Sequence, residues 1–226
     1  MVDPAVEIKK TWRIIAVGGD SVLELRAIWP KGVSGSQPPK CVHFYRCDYG
    51  SVDELKEAFE GEALQLNRAG FNIYVVMNPI RPDFAGPRAA KDSDIKYRDL
   101  LLIDIDRAGD TSCPATQADL DAAKQLSRRV RAFLAERGWP PPIEVMSGNG
   151  AHLYFVLGAI NNDKDADVLI RQTLSSLARR FDNGLVAVDT SVFNASRITK
   201  VPGTIMRKGV ETADRPYRMA VVCDEE

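Results

Sequence analysis

Residues 98–106 read Arg-Asp-Leu-Leu-Leu-Ile-Asp-Ile-Asp, and this stretch decides the fold of the chain. Its continuous run of Leu and Ile predicts a β-strand that is covered on both faces. Asp104 and Asp106 are two positions apart, and side chains at i and i+2 of a strand point to the same face. Their carboxylates therefore converge at the strand end, where they repel each other and raise each other's pKa.

A divalent cation between the two carboxylates would remove this repulsion, and Mg²⁺ and Mn²⁺ prefer such oxygen ligands. The alternative is a strand that simply runs out into a polar turn, where Asp is common. The D-x-D pattern alone does not decide between the two, so the rest of the chain has to.

The composition is that of an ordinary globular protein, with 226 residues, 45% of them hydrophobic and 27% charged. The net charge of −1 means that any site for a polyanion must come from a local cluster. The sequence has no apolar run of transmembrane length and no signal-peptide pattern at its N-terminus, so we expect a cytoplasmic protein without membrane contact. Its four cysteines are too scattered for a disulfide scaffold. A zinc cluster at Cys41, His43 and Cys47 is the alternative to a packed strand there.

Strand and helix patterns alternate along the chain and predict a mixed α and β architecture. The first predicted helix starts at a Ser51–Glu54 capping box. Helices are predicted at about 51–69, 116–137 and 164–181, and strands at about 12–17, 22–29, 41–49, 71–77, 98–106, 143–146, 151–157, 184–188 and 216–222. Residues 1–10 are expected to be a loose lead-in, 80–96 a long loop, and 190–204 irregular.

Residues 147–150 read Ser-Gly-Asn-Gly between two predicted strands, which is a strong hairpin signal. The glycines would let a ligand approach the backbone closely, next to the Ser147 hydroxyl and the Asn149 amide. His152 follows on the returning strand. These groups suit the oxygens of a phosphate chain, whereas the alternative is a plain hairpin with His152 packed in a sheet.

Asp189 ends another short apolar stretch, and a third carboxylate could complete a two-cation site. From residue 190 to 218 the chain has six basic residues against two acidic ones, Glu211 and Asp214. A polyanion would meet its cations here, although a solvated basic strip is the alternative. The six are Arg197, Lys200, Arg207, Lys208, Arg215 and Arg218. The sequence contains neither a P-loop nor a nucleophile elbow, so the combined features indicate a cation-plus-phosphate site of another kind.

The order of three motifs resembles the archaeo-eukaryotic primase superfamily, and within it the bacterial, plasmid and phage primase-polymerase type. The motifs are L-I-D-I-D at 102–106, S-G-N-G-A-H at 147–152, and V-D at 188–189 followed by N-A-S-R-I-T-K-V-P-G-T at 194–204. The resemblance implies an α+β fold in which residues 1–226 form a single catalytic domain. It would comprise a smaller α/β half at about 1–97 and an RRM-like sheet half at about 98–226, with the active-site cleft between them.

The resemblance also implies template-directed nucleotidyl transfer on DNA, by a two-metal mechanism with Mg²⁺ or Mn²⁺ and with NTPs or dNTPs as substrates. The catalytic residues and metal ligands would be Asp104, Asp106 and Asp189. The nucleotide would be held by Ser147, Asn149, His152, Arg197 and Lys200. Single-stranded or primed DNA would be the template, and a helicase, as a domain or a separate protein, is a further partner that the resemblance suggests. Arg81, Arg88 and Lys96 are candidates for template contacts, and Tyr154 and Phe193 for contacts with the sugar.

Two other function classes stay open. The D-x-D pattern also marks nucleotide-sugar glycosyltransferases, although the S-G-N-G-x-H hairpin is not their signature. A catalytically silent replication initiator or single-stranded-DNA-binding module on the same fold is the second alternative.

Overall fold

A computed structural model describes residues 2–20 and 22–223 of the chain. The helices are α1 (Pro4–Glu7), α2 (Thr11–Ile14), α3 (Val52–Arg68), α4 (Gln117–Ala135) and α5 (Lys164–Phe181). The strands are β1 (Val22–Ile28), β2 (Lys40–Tyr45), β3 (Asn72–Val76), β4 (Arg98–Arg107), β5 (Ile143–Met146), β6 (Ala151–Ile160), β7 (Val186–Val188), β8 (Ile198–Lys200), β9 (Ile205–Met206), β10 (Arg218–Met219) and β11 (Val221–Cys223). None of the helices in the described ranges is long and apolar enough to cross a membrane.

The strands form two main antiparallel sheets, which confirms the predicted α+β architecture. A five-stranded sheet has the order β11-β5-β6-β4-β7, and a four-stranded sheet has the order β2-β1-β3-β8. Strands β9 and β10 pair as a separate ribbon. Helices α4 and α5 contact the five-stranded sheet, and α3 contacts the four-stranded sheet.

Strand β4 is buried along its apolar run, as its composition predicts. It pairs with β6 on one side and with β7 on the other. Its residues Leu100, Leu101, Leu102, Ile103 and Ile105 are each at most 2% exposed. The predicted division near residue 97 falls between β3 and β4, but β8 returns from the second half of the chain to pair with β3. The part of the chain after residue 97 therefore supplies strands to both sheets.

The N-terminal segment differs from its prediction. Residues 12–17 were expected to form a strand, but Thr11–Ile14 are helical and follow a short helix that Asp3 caps. The Trp12 ring packs edge-on against Phe59 with centroids 5.2 Å apart, and its Nε1 donates to Glu60 Oε1 at 2.6 Å. Packing on α3 therefore outweighs the strand propensity of this β-rich stretch.

Two further elements depart from the predicted pattern. Strand β8 lies inside residues 190–204, which were expected to be irregular, and at three residues it is too short to show an alternating pattern. The expected last strand is interrupted between β10 and β11 because Ala220 N donates instead to Thr204 O at 2.9 Å.

The long loop between β3 and β4 is tied down at several points. Glu24 of β1 is fully buried, and its carboxylate accepts a hydrogen bond from Ala90 N at 2.6 Å. Farther along the loop, Asp92 Oδ1 accepts from Ser196 N at 2.8 Å and from Ser196 Oγ at 2.7 Å. Hydrogen bonds thus hold this loop to β1 at one point and to the segment just before β8 at another.

We expect Gly203→Ala to destabilise the fold. Gly203 has a φ of +79°, and a Cβ there would lie 2.6 Å from Ile8 N and 2.7 Å from Pro4 O. Strain of this kind costs about 1–3 kcal/mol, so the free energy of unfolding in urea should fall by at least that amount. Gly184→Ala is the matched control, since a Cβ there meets nothing within 4 Å and the variant should unfold like the wild type.

Candidate active site

Three neighbouring strands bring most of the predicted catalytic residues to one place. Asp104 of β4 lies opposite His152 of β6 in the register of the sheet. On the other side of β4, the backbone N–H of Asp189 donates to the Asp104 carbonyl oxygen at 2.8 Å. Residues directly opposite each other in a sheet share a face, and Asp106, two positions further along β4, shares it too.

Asp104 and Asp106 each hold one carboxylate oxygen that is buried without a hydrogen-bond partner. In both residues this oxygen is Oδ1. His152 Nε2 lies 3.3 Å from Asp104 Oδ1, at ion-pair distance although not in hydrogen-bond geometry. Such orphaned oxygens are costly inside a protein, and carboxylate oxygens are what a hard divalent cation binds.

The electrostatic environment separates the two carboxylates. Burial raises the pKa of Asp106, and the negative charge of Asp104 raises it further. Burial also raises the pKa of Asp104, but the nearby His152 outweighs it, with help from Lys200 and Arg197, so that this pKa falls below its usual value. The prediction that close carboxylates raise each other's pKa therefore holds for Asp106 and not for Asp104.

Asp189 and Arg197 stand at the edge of the same site. Asp189 Oδ1 accepts a hydrogen bond from Ser191 N at 2.7 Å, and its Oδ2 lies 3.9 Å from Arg197 Nη2. The Nε of Arg197 is buried without a hydrogen-bond partner. Across residues 2–20 and 22–223, no group of three or more His, Cys, Asp or Glu side chains is arranged to hold a metal ion. That finding gives no support to a zinc cluster at Cys41, His43 and Cys47, and it does not group Asp189 with Asp104 and Asp106 as a three-ligand site either.

The predicted hairpin forms, and its side chains bond to the protein itself. Residues 147–150 connect β5 to β6, and Ser147 Oγ accepts from Gly150 N at 3.0 Å. Ser147 is fully buried, whereas Asn149 is half-buried and its Oδ1 accepts from Ala115 N at 3.0 Å. The hairpin therefore holds its own turn together and anchors the loop that follows β4.

Gly150 and Lys208 lie beside Asp106, in roles that the sequence did not predict. A Cβ at Gly150 would overlap the Asp106 carboxylate and the carbonyl oxygen of Ile105, so only glycine fits there. Burial lowers the pKa of the Lys208 ammonium, while the charge of Asp106 raises it. Lys208 was one of six cations in a basic stretch, and nothing in that pattern distinguishes it from the others.

The candidates for template and sugar contacts are mostly engaged elsewhere. Arg88 makes a paired contact with Asp94 at 2.5 and 2.8 Å. Lys96 Nζ lies 3.3 Å from Asp20 Oδ1. Arg81 is likewise close to Asp83, and the Arg171 guanidinium lies over the Phe193 ring. Tyr154 is 1% exposed and its hydroxyl is already hydrogen-bonded to His152 and Thr199, so it does not offer a contact to a sugar.

Comparison with known proteins shows what fold this site lies in. No protein-family model matches the sequence, and no curated protein is similar to it. Among solved structures, the chain is similar to the primase RepB', with a TM-score of 0.52 and 13% identity. The match covers 98% of this chain and 56% of that one. It is also similar to the polymerase domain of Ligase D from Mycobacterium tuberculosis in complex with DNA, with a TM-score of 0.50 and 17% identity. That match covers 90% of this chain and 76% of the other.

These similarities show that the fold of the chain is similar to that of a primase and to that of a polymerase domain. The chain spans little more than half the length of the primase structure. At such low identity the likeness concerns the fold, so the chemistry has to be argued from the residues of this chain.

We expect Asp106→Asn to stabilise the protein in EDTA at neutral pH. The substitution removes a half-buried carboxylate that has one buried, unpartnered oxygen and lies beside the charge of Asp104. Relief of strain at a functional site typically adds about 0.5–2 kcal/mol to the free energy of unfolding, which urea denaturation would measure. Asp83→Asn, at a carboxylate that is 78% exposed, is the control and should change nothing. A destabilised Asp106→Asn would show that the carboxylate is well accommodated without a cation.

Proposed function

We propose that this chain catalyses template-directed nucleotidyl transfer on DNA, as a primase or a DNA polymerase that uses NTPs or dNTPs. The observation that carries the proposal is the pair of buried, unpartnered oxygens of Asp104 and Asp106, with His152, Arg197 and Lys200 close by. The fold that the chain shares with a primase and a polymerase domain supports it. DNA, single-stranded or primed, is the template we propose, in line with the DNA in the complex of the polymerase domain.

We propose that the site holds one or two Mg²⁺ or Mn²⁺ ions. Asp104 and Asp106 would be the main ligands, since each has a buried oxygen without a hydrogen-bond partner, and Asp189, at the end of β7, would be the third. When bound, such ions lower the pKa of an attacking hydroxyl and offset charge on a leaving pyrophosphate. The preference of hard cations for carboxylate oxygens agrees with this donor set.

The other residues of the site supply positive charge and hydrogen-bond donors. Arg197 and Lys200 would pair with the triphosphate, and an arginine can do so through two N–H groups at once. His152 would donate Nε2–H to a phosphate oxygen from its position opposite Asp104. Groups fixed in this way act by positioning the nucleotide and by stabilising charge as it develops.

Loss of the Asp104 carboxylate should abolish nucleotide addition and leave the fold intact. Asp104→Asn removes the charge that would hold the cation, so nucleotide addition to a primed single-stranded template should fall by at least about 100-fold. The assay supplies labelled dNTPs and NTPs with Mg²⁺ or Mn²⁺, with and without an annealed primer. Asp99→Asn, at the opposite end of β4, is the matched control and should retain activity.

The outcomes separate the function classes. Metal-dependent products that Asp104→Asn loses would support a polymerase, and products formed without a primer would support a primase. Full activity in Asp104→Asn would contradict the proposed site. No products from the wild type under any condition, with intact binding to single-stranded DNA, would favour the silent initiator or DNA-binding module.

A further inference from the structure

A buried chain of hydrogen bonds runs from the site into the other sheet. His152 Nδ1 lies 2.8 Å from the Tyr154 hydroxyl, which is in turn hydrogen-bonded to Thr199 Oγ1 of β8. Tyr154 is 1% exposed, Thr199 2% and His152 3%. Strand β6 belongs to the five-stranded sheet and β8 to the four-stranded one, so these three side chains connect the two sheets. The connection starts at His152, which lies opposite Asp104.

The contact with Asp104 decides the direction of these hydrogen bonds when the imidazole is neutral. Nε2 lies 3.3 Å from Asp104 Oδ1, and a carboxylate oxygen would repel a bare nitrogen lone pair, so Nε2 is the nitrogen that carries the proton. Since the neutral ring has a single N–H, Nδ1 then accepts and the Tyr154 hydroxyl donates to it. The Tyr154 oxygen then accepts from the Thr199 hydroxyl.

We infer that Tyr154 and Thr199 are positioning residues, which hold His152 as an Nε2–H donor that faces the active site. The inference rests on the proposed function in one respect, namely that the group receiving this donor is a phosphate oxygen of the nucleotide. The ring orientation and the place of the proton are properties of the chain itself. Thr199 lies next to Lys200 on β8, so the same hydrogen bonds connect His152 to the strand that carries Lys200.

Nitrogen-15 spectra of the histidine rings test the positioning directly. The chain has only two histidines, so a His43→Gln variant assigns both rings. In the neutral form of the ring, reached at the high-pH end of a titration, His152 should carry its proton on Nε2 and show Nδ1 at the shift of a hydrogen-bonded nitrogen. Tyr154→Phe should move Nδ1 to the shift of an unbonded nitrogen. Thr199→Val should move it part of the way, and Thr199→Ser, which keeps the hydroxyl, should restore the wild-type spectrum.

A double-mutant cycle tests whether Tyr154 acts through His152. The affinities of non-hydrolysable analogues of ATP and dATP would be measured with Mg²⁺. Loss of a supporting hydrogen bond of this kind typically costs about tenfold, so Tyr154→Phe should weaken binding by that factor. In a His152→Ala background the same substitution should have no further effect, because its target is gone.

The results that would overturn the inference are distinct from those that contradict the proposed function. A proton on Nδ1 of wild-type His152, or an Nδ1 shift that Tyr154→Phe leaves unchanged, would overturn it. A tenfold loss of analogue affinity on Tyr154→Phe that persists in the His152→Ala background would overturn it as well. A wild type with the expected spectrum that binds neither analogue would instead contradict the proposed function and leave the positioning of His152 intact. If Tyr154→Phe does not fold, the Thr199→Val and Thr199→Ser pair gives the same answer.

Discussion

The apolar body of β4 is what allows two carboxylates to lie together at its end. Five of its apolar side chains are at most 2% exposed, and full burial of one such side chain is worth about 1.5–3 kcal/mol. An unpartnered polar group costs about 1–3 kcal/mol, so the packing of this one strand outweighs the unfavourable placement of Asp104 and Asp106. Since β4 is paired on both sides, the carboxylates have little freedom to move apart.

The opposing charges of the site come from different sheets. The carboxylates belong to the five-stranded sheet, whereas Lys200 lies on β8 of the four-stranded one. Met77 N donates to the Arg197 carbonyl oxygen at 3.0 Å, and the Asp92–Ser196 hydrogen bonds fix the residue just before Arg197. The charge balance at Asp104 therefore depends on how the two sheets pack against each other. The loop between β3 and β4 contributes to it, because Asp92 of this loop holds Ser196, the residue just before Arg197.

The sequence predicted the long elements well because each has a strong local signal. The apolar run of β4 and the amphipathic patterns of α3, α4 and α5 all appear close to their predicted ranges. Trp12 was misassigned because its contact with Phe59 is a tertiary one, and β8 was missed because its three residues are ordered by pairing with β3.

The predicted site shows the same contrast. Asp104 and Asp106 follow from strand period, but the role of Tyr154 depends on Thr199, 45 positions away. Ser147 and Asn149 each use an oxygen lone pair for a backbone N–H, and their own donor hydrogens stay able to serve an anion. Asn149 is half-buried and Ser147 fully buried, so a phosphate would reach the Asn149 amide first and the Ser147 hydroxyl only if the hairpin relaxed. The spacing of the motif gives these two residues equal weight, whereas their burial makes Asn149 the more accessible of the two to the nucleotide that we propose.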